Sequence, residues 1–339
     1  MDLKERATWA AAVFVAGLAL LLLSVFVADR RLDSPFEEAE LLPIEIPAGT
    51  PLDGGFLYAS DTSGNFEIFV NPLQGAPIPL TTDPSFDSWR PRLSPDRSTV
   101  LFYRTPAGVV DTDLSQASLW MIGAQGGEPV EVLPVKSHGW TEQGGAEWSP
   151  LGNELVMMGE RPLGMQIWVT SIDGRDVRNL VNIPGDSTYP SWSPDAKRVL
   201  FGACPEPSCA NERREVFAVS AAGGELIQIT NDDVFDEQPR FSPDGSQIVM
   251  RSQFSAPDEE GNGAEWDIRV IPTSRDQPAR RLLGEGATGN AAVWSDDRFV
   301  LFERVSAQDG DSGIYTARVS DGELFTMVDM PANERFPAS

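Results

Sequence analysis

The chain reads as an all-β protein: a six-bladed β-propeller of four-stranded antiparallel blades, preceded by one N-terminal transmembrane helix. Three observations predict this. A Pro-x-aromatic-Ser-Pro-Asp motif recurs about every fifty residues, each copy is followed by a fixed order of apolar runs, and one uncharged stretch stands apart near the N-terminus.

Trp9 to Val27 contains no charged residue. As a helix these residues span roughly 28 Å, about the hydrocarbon thickness of a bilayer. A cleaved signal peptide is the rival, but cutting after Ala28 would put bulky Phe26 three residues before the site. Residues 1–31 are therefore read as an anchor, with its helix at about 9–27. Lys4 and Arg6 precede the helix while Arg30 and Arg31 follow it, so the positive-inside count is tied. Residues 32–46, with Glu37, Glu38 and Glu40, read as an acidic tether, and residues 47–339 as the propeller.

The motif appears at Pro91-Arg92-Leu93-Ser94-Pro95-Asp96, Ala146-Glu147-Trp148-Ser149-Pro150, Pro190-Ser191-Trp192-Ser193-Pro194-Asp195, Pro239-Arg240-Phe241-Ser242-Pro243-Asp244-Gly245 and Ala292-Val293-Trp294-Ser295-Asp296-Asp297. From the repeat serine to the end of the next apolar run is 8 positions in four copies (94–102, 149–157, 193–201, 242–250) and 7 in the copy 295–302. That is a hairpin. Proline presets φ at the second turn position, and Asp and Gly suit the positions after it.

A third strand is expected at 68–70, 119–121, 167–169, 216–218, 268–270 and 314–316. Fourth strands should end at 80–81, 132–133, 180–181, 229–230, 282–283 and 327–328. The first blade has a second strand at Phe56–Ala59 but two candidate inner strands, Pro47–Pro51 and the C-terminal Phe336-Pro337-Ala338. The sequence leaves that choice open.

Composition narrows function. The net charge is 26 − 51 = −25, which disfavours nucleic-acid phosphates. Residues 32–339 hold 22 − 48 = −26 of it, so the acidity belongs to the propeller and tether. One histidine and two cysteines cannot build a multi-histidine or tetrahedral zinc site, and no cofactor or metal is expected. Cys204 and Cys209, in Cys-Pro-Glu-Pro-Ser-Cys, could close a disulfide worth about 2 kcal/mol, which favours a location outside the cytoplasm. Two unrelated surface thiols are the alternative.

No catalytic constellation emerges. Gly310-Asp311-Ser312-Gly313 imitates a protease nucleophile loop but reads as a turn, and His138, the one available base, reads as a connector residue. There is no Gly-x-Ser-x-Gly elbow. Acidic clusters at Asp111-Thr112-Asp113, Asp232-Asp233, Asp236-Glu237, Asp258-Glu259-Glu260 and Asp309-Gly310-Asp311 offer oxygen ligands, yet none completes a calcium loop.

The repeats resemble TolB-like propellers, built of the WD40-like modules called PD40. The resemblance covers roughly residues 47–339. It implies a protein-binding scaffold on the outer side of a bacterial inner membrane, with partners at one mouth of the central channel. Related propellers also gate peptidases or act as lyases with histidine-bound metal, so a hydrolase or lyase acting on a peptide or polysaccharide is the alternative. Two departures stand out: TolB-type proteins place an α/β domain before the blades, and TolB itself is released into the periplasm. The expected localisation is a single-pass membrane protein with its propeller on the periplasmic or cell-surface side. Phe86, Trp89, Arg90, Trp140, Tyr189, Phe235 and Gln238 lie in the loops that enter the inner strands. Aromatics beside an arginine suit an interface hot spot, so these seven are the candidate partner-binding residues.

Overall fold

The structure, a computed structural model, describes residues 55–338 apart from 73–74, 163, 205–213, 233, 256–264, 275–277, 285–287, 306–310, 329 and 331. The predicted anchor, the tether and the inner-strand candidate at 47–51 lie outside the described residues, as does Cys209 of the predicted disulfide. Among the described residues no helix is long and apolar enough to cross a membrane.

Six four-stranded antiparallel sheets follow one another along the chain, so the all-β six-bladed propeller is correct. The second strand of a blade reads as an unbroken apolar run because neighbouring blades cover both of its faces. Val100–Tyr103, Leu155–Met158, Val199–Phe201, Ile248–Met250 and Val300–Phe302 are accordingly buried. The third strands fall where expected. The outer strands of blades 1, 4 and 5 shrink to Ile78–Pro79, Ile227–Gln228 and Arg280–Arg281. Leu80, Ile229 and Leu282 still donate to third-strand carbonyls just beyond those short pairings.

The repeat motif explains itself in the turn. The amides of Arg97, Gly152, Ala196 and Gly245 donate back to the carbonyls of Ser94, Ser149, Ser193 and Ser242. In blades 2, 4 and 5 the serine hydroxyl also bonds the turn aspartate at 2.6 Å. The motif aromatic ties blades together. The Trp148 indole donates to the Arg92 carbonyl of blade 2 at 3.1 Å, and the Trp294 indole to the Arg240 carbonyl of blade 5 at 3.2 Å.

The C-terminal strand Glu334–Ala338 supplies the inner strand of blade 1, pairing antiparallel with Phe56–Ser60. Asn333 seals the join by donating its backbone amide and its side-chain amide to Asp61, both at 2.8 Å.

Candidate functional site: the central channel

Each inner strand contains a bulge, and the six bulges form a ring. The ladder shifts register at the matching place in every inner pairing, and a second time in blade 6 between Trp294 and Asp296. There stand Arg90, Gly145, Tyr189, Gln238, Ala291 and Phe336, all with φ between 50° and 61°. Five of these are not glycine, so left-handed strain is held at the channel wall. The bulge turns these six residues toward one another, and the space left among them, about 20 Å³, has room for about one water and nothing larger.

Arg90 closes this constriction. Its guanidinium carbon lies 5.1 Å from the ring centres of both Tyr189 and Phe336. Its Nη2 stands 3.2 Å from Asp111 Oδ1, and Asp111 also faces Arg335 at 3.6 Å. Burial alone would pull the Arg90 pKa down; the Asp111 carboxylate and the Tyr189 hydroxyl together outweigh it and hold the guanidinium above its ordinary value.

Two residues beyond each bulge comes a second ring: Arg92, Glu147, Ser191, Arg240, Val293 and Ala338. Glu147 Oε1 accepts from Arg92 Nε at 2.5 Å and from Arg240 Nη2. Burial would raise the Glu147 carboxyl, but Arg240 and Arg92 together hold it below its usual range. Burial, reinforced by Arg240, brings Arg92 down to about 10 against the pull of Glu147, so it stays charged at neutral pH. Beyond this ring the channel opens on the Ser-Pro-Asp turn face into a vestibule of about 530 Å³. Trp148, Trp192, Phe241 and Trp294 line it.

Of the seven residues predicted from sequence, Arg90, Tyr189 and Gln238 converge in the constriction. Trp89 and Trp140 are fully buried and belong to the wall. Trp89 stacks on Tyr103 and donates to Thr105, while Trp140 packs on Trp168 and fills the space above Gly159. Phe86 and Phe235 are half-buried in blades 2 and 5, beside Arg104 and against Trp266. Sequence alone does not mark Phe336, Glu147, Arg92 and Arg240 as channel residues, and it offers Asp111 only as an oxygen ligand. The signal was there: in the repeat alignment, the position after the motif's first residue is charged in three of six copies.

Asp232 and Asp236 of the acidic clusters hold partners of their own, while Asp233, residues 258–260 and residues 309–310 lie outside the described residues. Arg269 donates to Asp232 at 2.7 Å and to Asp236 at 3.0 Å, and Thr230 donates to Glu215 at 2.5 Å. Ligand atoms of Glu215, Asp232 and Asp236 lie within 4.8 Å of one another, a set able to hold a cation in charge terms. The same device recurs between blades 1 and 2, where Thr81 donates to Glu67 at 2.5 Å and Arg104 faces Asp83 at 3.8 Å. That recurrence marks it as a tie between blades. Burial lifts the Glu215 carboxyl to about 7. Ser312 opens a third strand in blade 6, whereas His138 is exposed between blades 2 and 3 with Nε2 2.7 Å from the Gly174 carbonyl.

No known protein-family profile matches the chain. An uncharacterized peptidase, YuxL of Bacillus subtilis, is 21% identical over 201 residues, covering 50% of this chain and 30% of that protein. The Tol-Pal system protein TolB of Nitratidesulfovibrio vulgaris is 31% identical over 97 residues, covering 27% and 20%. The chain thus spans less than a third of the length of either relative. Among solved structures, TolB from Acinetobacter baumannii superposes with TM-score 0.65 at 13% identity, over 86% of this chain and 67% of that one. The fold is that of a TolB-like β-propeller. The same propeller shape extends to a chain of the nidogen/laminin complex (TM-score 0.63, 10% identity, 84% and 97% covered). It extends also to oligogalacturonate lyase from Vibrio parahaemolyticus (0.51, 15%, 83% and 90%). TolB-like propellers thus share their fold with enzymes, and the fold alone does not choose between binding and catalysis.

Proposed function

We propose that the chain is a membrane-anchored, extracytoplasmic propeller that acts as a non-enzymatic protein-binding scaffold or accessory subunit of a membrane complex. The observation that carries this reading is the closed constriction. Arg90, clamped by Asp111 and capped by Tyr189 and Phe336, blocks passage from the face of the blade connectors. A substrate tunnel needs an opening there, whereas a docking face does not. Tyr189, Phe235 and Phe86 remain partly exposed on that side, and aromatics around a buried arginine suit a protein partner. The likeness to TolB and to a chain of the nidogen/laminin complex supports binding as the role.

The second reading, a propeller hydrolase or lyase acting on a peptide or polysaccharide, draws on Glu215. A carboxyl near 7 beside Asp236 and Arg269 has the poise of an acid–base group. Detergent extraction, affinity recovery and mass spectrometry separate the two. The scaffold reading expects a stoichiometric partner that is lost in the triple variant Phe86→Ala, Tyr189→Ala, Phe235→Ala with an unchanged melting profile. Turnover on a peptide and polysaccharide panel that Glu215→Gln abolishes would replace it.

A further inference from the structure

The geometry points to the turn-face vestibule as a binding site for a small monocarboxylate with an aromatic or branched apolar body. This stands whether or not the connector face docks a protein, since the Arg90 constriction separates the two ends of the channel.

The size and lining suit a small molecule. A volume of about 530 Å³ lies in the usual range for such pockets, which are mostly apolar with a few convergent polar groups. Four aromatic side chains, Trp148, Trp192, Phe241 and Trp294, are joined by the prolines of four turns.

The floor supplies the polar group. Two guanidiniums and one carboxylate leave a net charge of +1 in a chain whose total is −25. Both arginines spend their contact on the same oxygen, Glu147 Oε1. Arg92 Nη1 donates to the Pro91 carbonyl at 2.7 Å. Among the described residues, Arg92 Nη2 and Arg240 Nε and Nη1 have no protein acceptor. Three donors therefore remain on two forks whose residues line the base of the aromatic cup. A carboxylate accepts such forks in pairs, through short charge-assisted bonds.

Charge selects a single anion. One carboxylate neutralises the floor, while Asp244 and Asp297 on the vestibule wall oppose a second negative charge. A dianionic phosphate or a polyuronate chain meets that repulsion; a lone carboxylate on an apolar body does not.

Titration calorimetry on the detergent-solubilised full chain, with phenylacetate against its neutral isostere phenylacetamide, tests this directly. Phenylacetate should bind saturably and at least about tenfold more tightly than the amide. Arg240→Gln should erase that preference, Trp192→Ala should weaken both probes, and Arg251→Gln, whose partner is Glu237 outside the vestibule, should change neither. Thermal melts accompany each variant. Because the acid-to-amide ratio is read on the unaltered chain, a misfolded Arg240→Gln leaves the test intact. Equal binding of the two probes, no binding of either, or preferential binding of inorganic phosphate or digalacturonate overturns the proposal.

Discussion

Glu147 and Arg240, 93 residues apart in sequence, meet across the channel from blades 3 and 5. Arg92 of blade 2 joins the same carboxylate oxygen, so three blades are tied at one buried atom. Glu147→Gln leaves two guanidiniums facing each other without their anion. Stranding a buried charge costs about 3–5 kcal/mol. The midpoint of thermal unfolding should fall accordingly, by roughly 2–4 °C per kcal/mol for a domain of this order of size. Replacing Arg240 by methionine leaves the Arg92–Glu147 pair intact and should cost clearly less. Equal losses in the two variants would show that the triad is not the unit.

The Arg90–Asp111 pair offers a second separable quantity. Arg90→Met and Asp111→Asn each break the clamp, and the double variant removes both partners. Chemical denaturation of all four proteins gives a coupling energy, expected at about 1–3 kcal/mol for residues in direct contact. A value near zero would mean that the aromatic cap of Tyr189 and Phe336, rather than the ion pair, holds Arg90 in place.

The serine-to-strand register and the order of apolar runs made the blades legible, because they follow from turn chemistry and from burial on both faces of the second strand. The channel was legible only in part. By sequence Arg90, Tyr189 and Gln238 read as residues of the loops entering the inner strands; they lie within those strands, and they converge because a bulge turns each toward the axis. Nothing in the side-chain identity of Arg90 or Tyr189 announces a left-handed φ; the six-fold repetition of the backbone does. Trp89 and Trp140 resembled interface residues by type, and only the packing on Tyr103 and Trp168 places them inside. The repeat alignment shows the charges of Glu147 and Arg240 at one shared position, but their pairing joins separate blades, a distance no local motif encodes.

Stability should depend on pH through Glu215. Burial raises its folded-state pKa from 4.5 to about 7, so the folded protein holds the proton more tightly than the unfolded chain. The neighbouring carboxyl of Asp236 is raised too, chiefly by burial and against the pull of Arg269. The sign follows: the favourable contribution is complete below pH about 4.5 and is lost as pH rises through 7. After screening by partial solvent access, the loss is on the order of 1–2 kcal/mol between pH 5 and 8. Denaturation midpoints across that range should slope downward in the native chain and flatten in Glu215→Gln. Parallel slopes would assign the titration elsewhere.

Turn geometry gives a gain rather than a loss. Ala196 adopts φ 57° at the turn position that glycine fills in blades 3 and 5, as Gly152 and Gly245. An alanine there bears left-handed strain that glycine avoids, partly offset by the greater freedom glycine has when unfolded. Ala196→Gly should therefore raise stability by about 0.5–1 kcal/mol. A lower midpoint would show that the turn tolerates alanine without strain.

Ring closure should prove the most sensitive point of the fold. Phe336 lies in the last strand, is 2% exposed, and sits 6.0 Å from the Trp89 ring with Arg90 over its face. It therefore joins the closing strand of blade 1 to the inner strand of blade 2. Phe336→Ala removes a buried aromatic and opens the constriction at once, at a cost of about 3–5 kcal/mol. The same change keeps an alanine at φ 55°, so none of the backbone strain is relieved in exchange. Water entering the gap should reach Trp89, which is 0% exposed, and shift its fluorescence to longer wavelength in a protein that is still folded. Deleting residues 334–339 goes further: it strips the hydrogen bonds from the edge of Phe56–Ser60 and leaves blade 1 with three strands. That protein should lose cooperative unfolding. A truncated chain with the native melting profile would mean that blade 1 closes by another route.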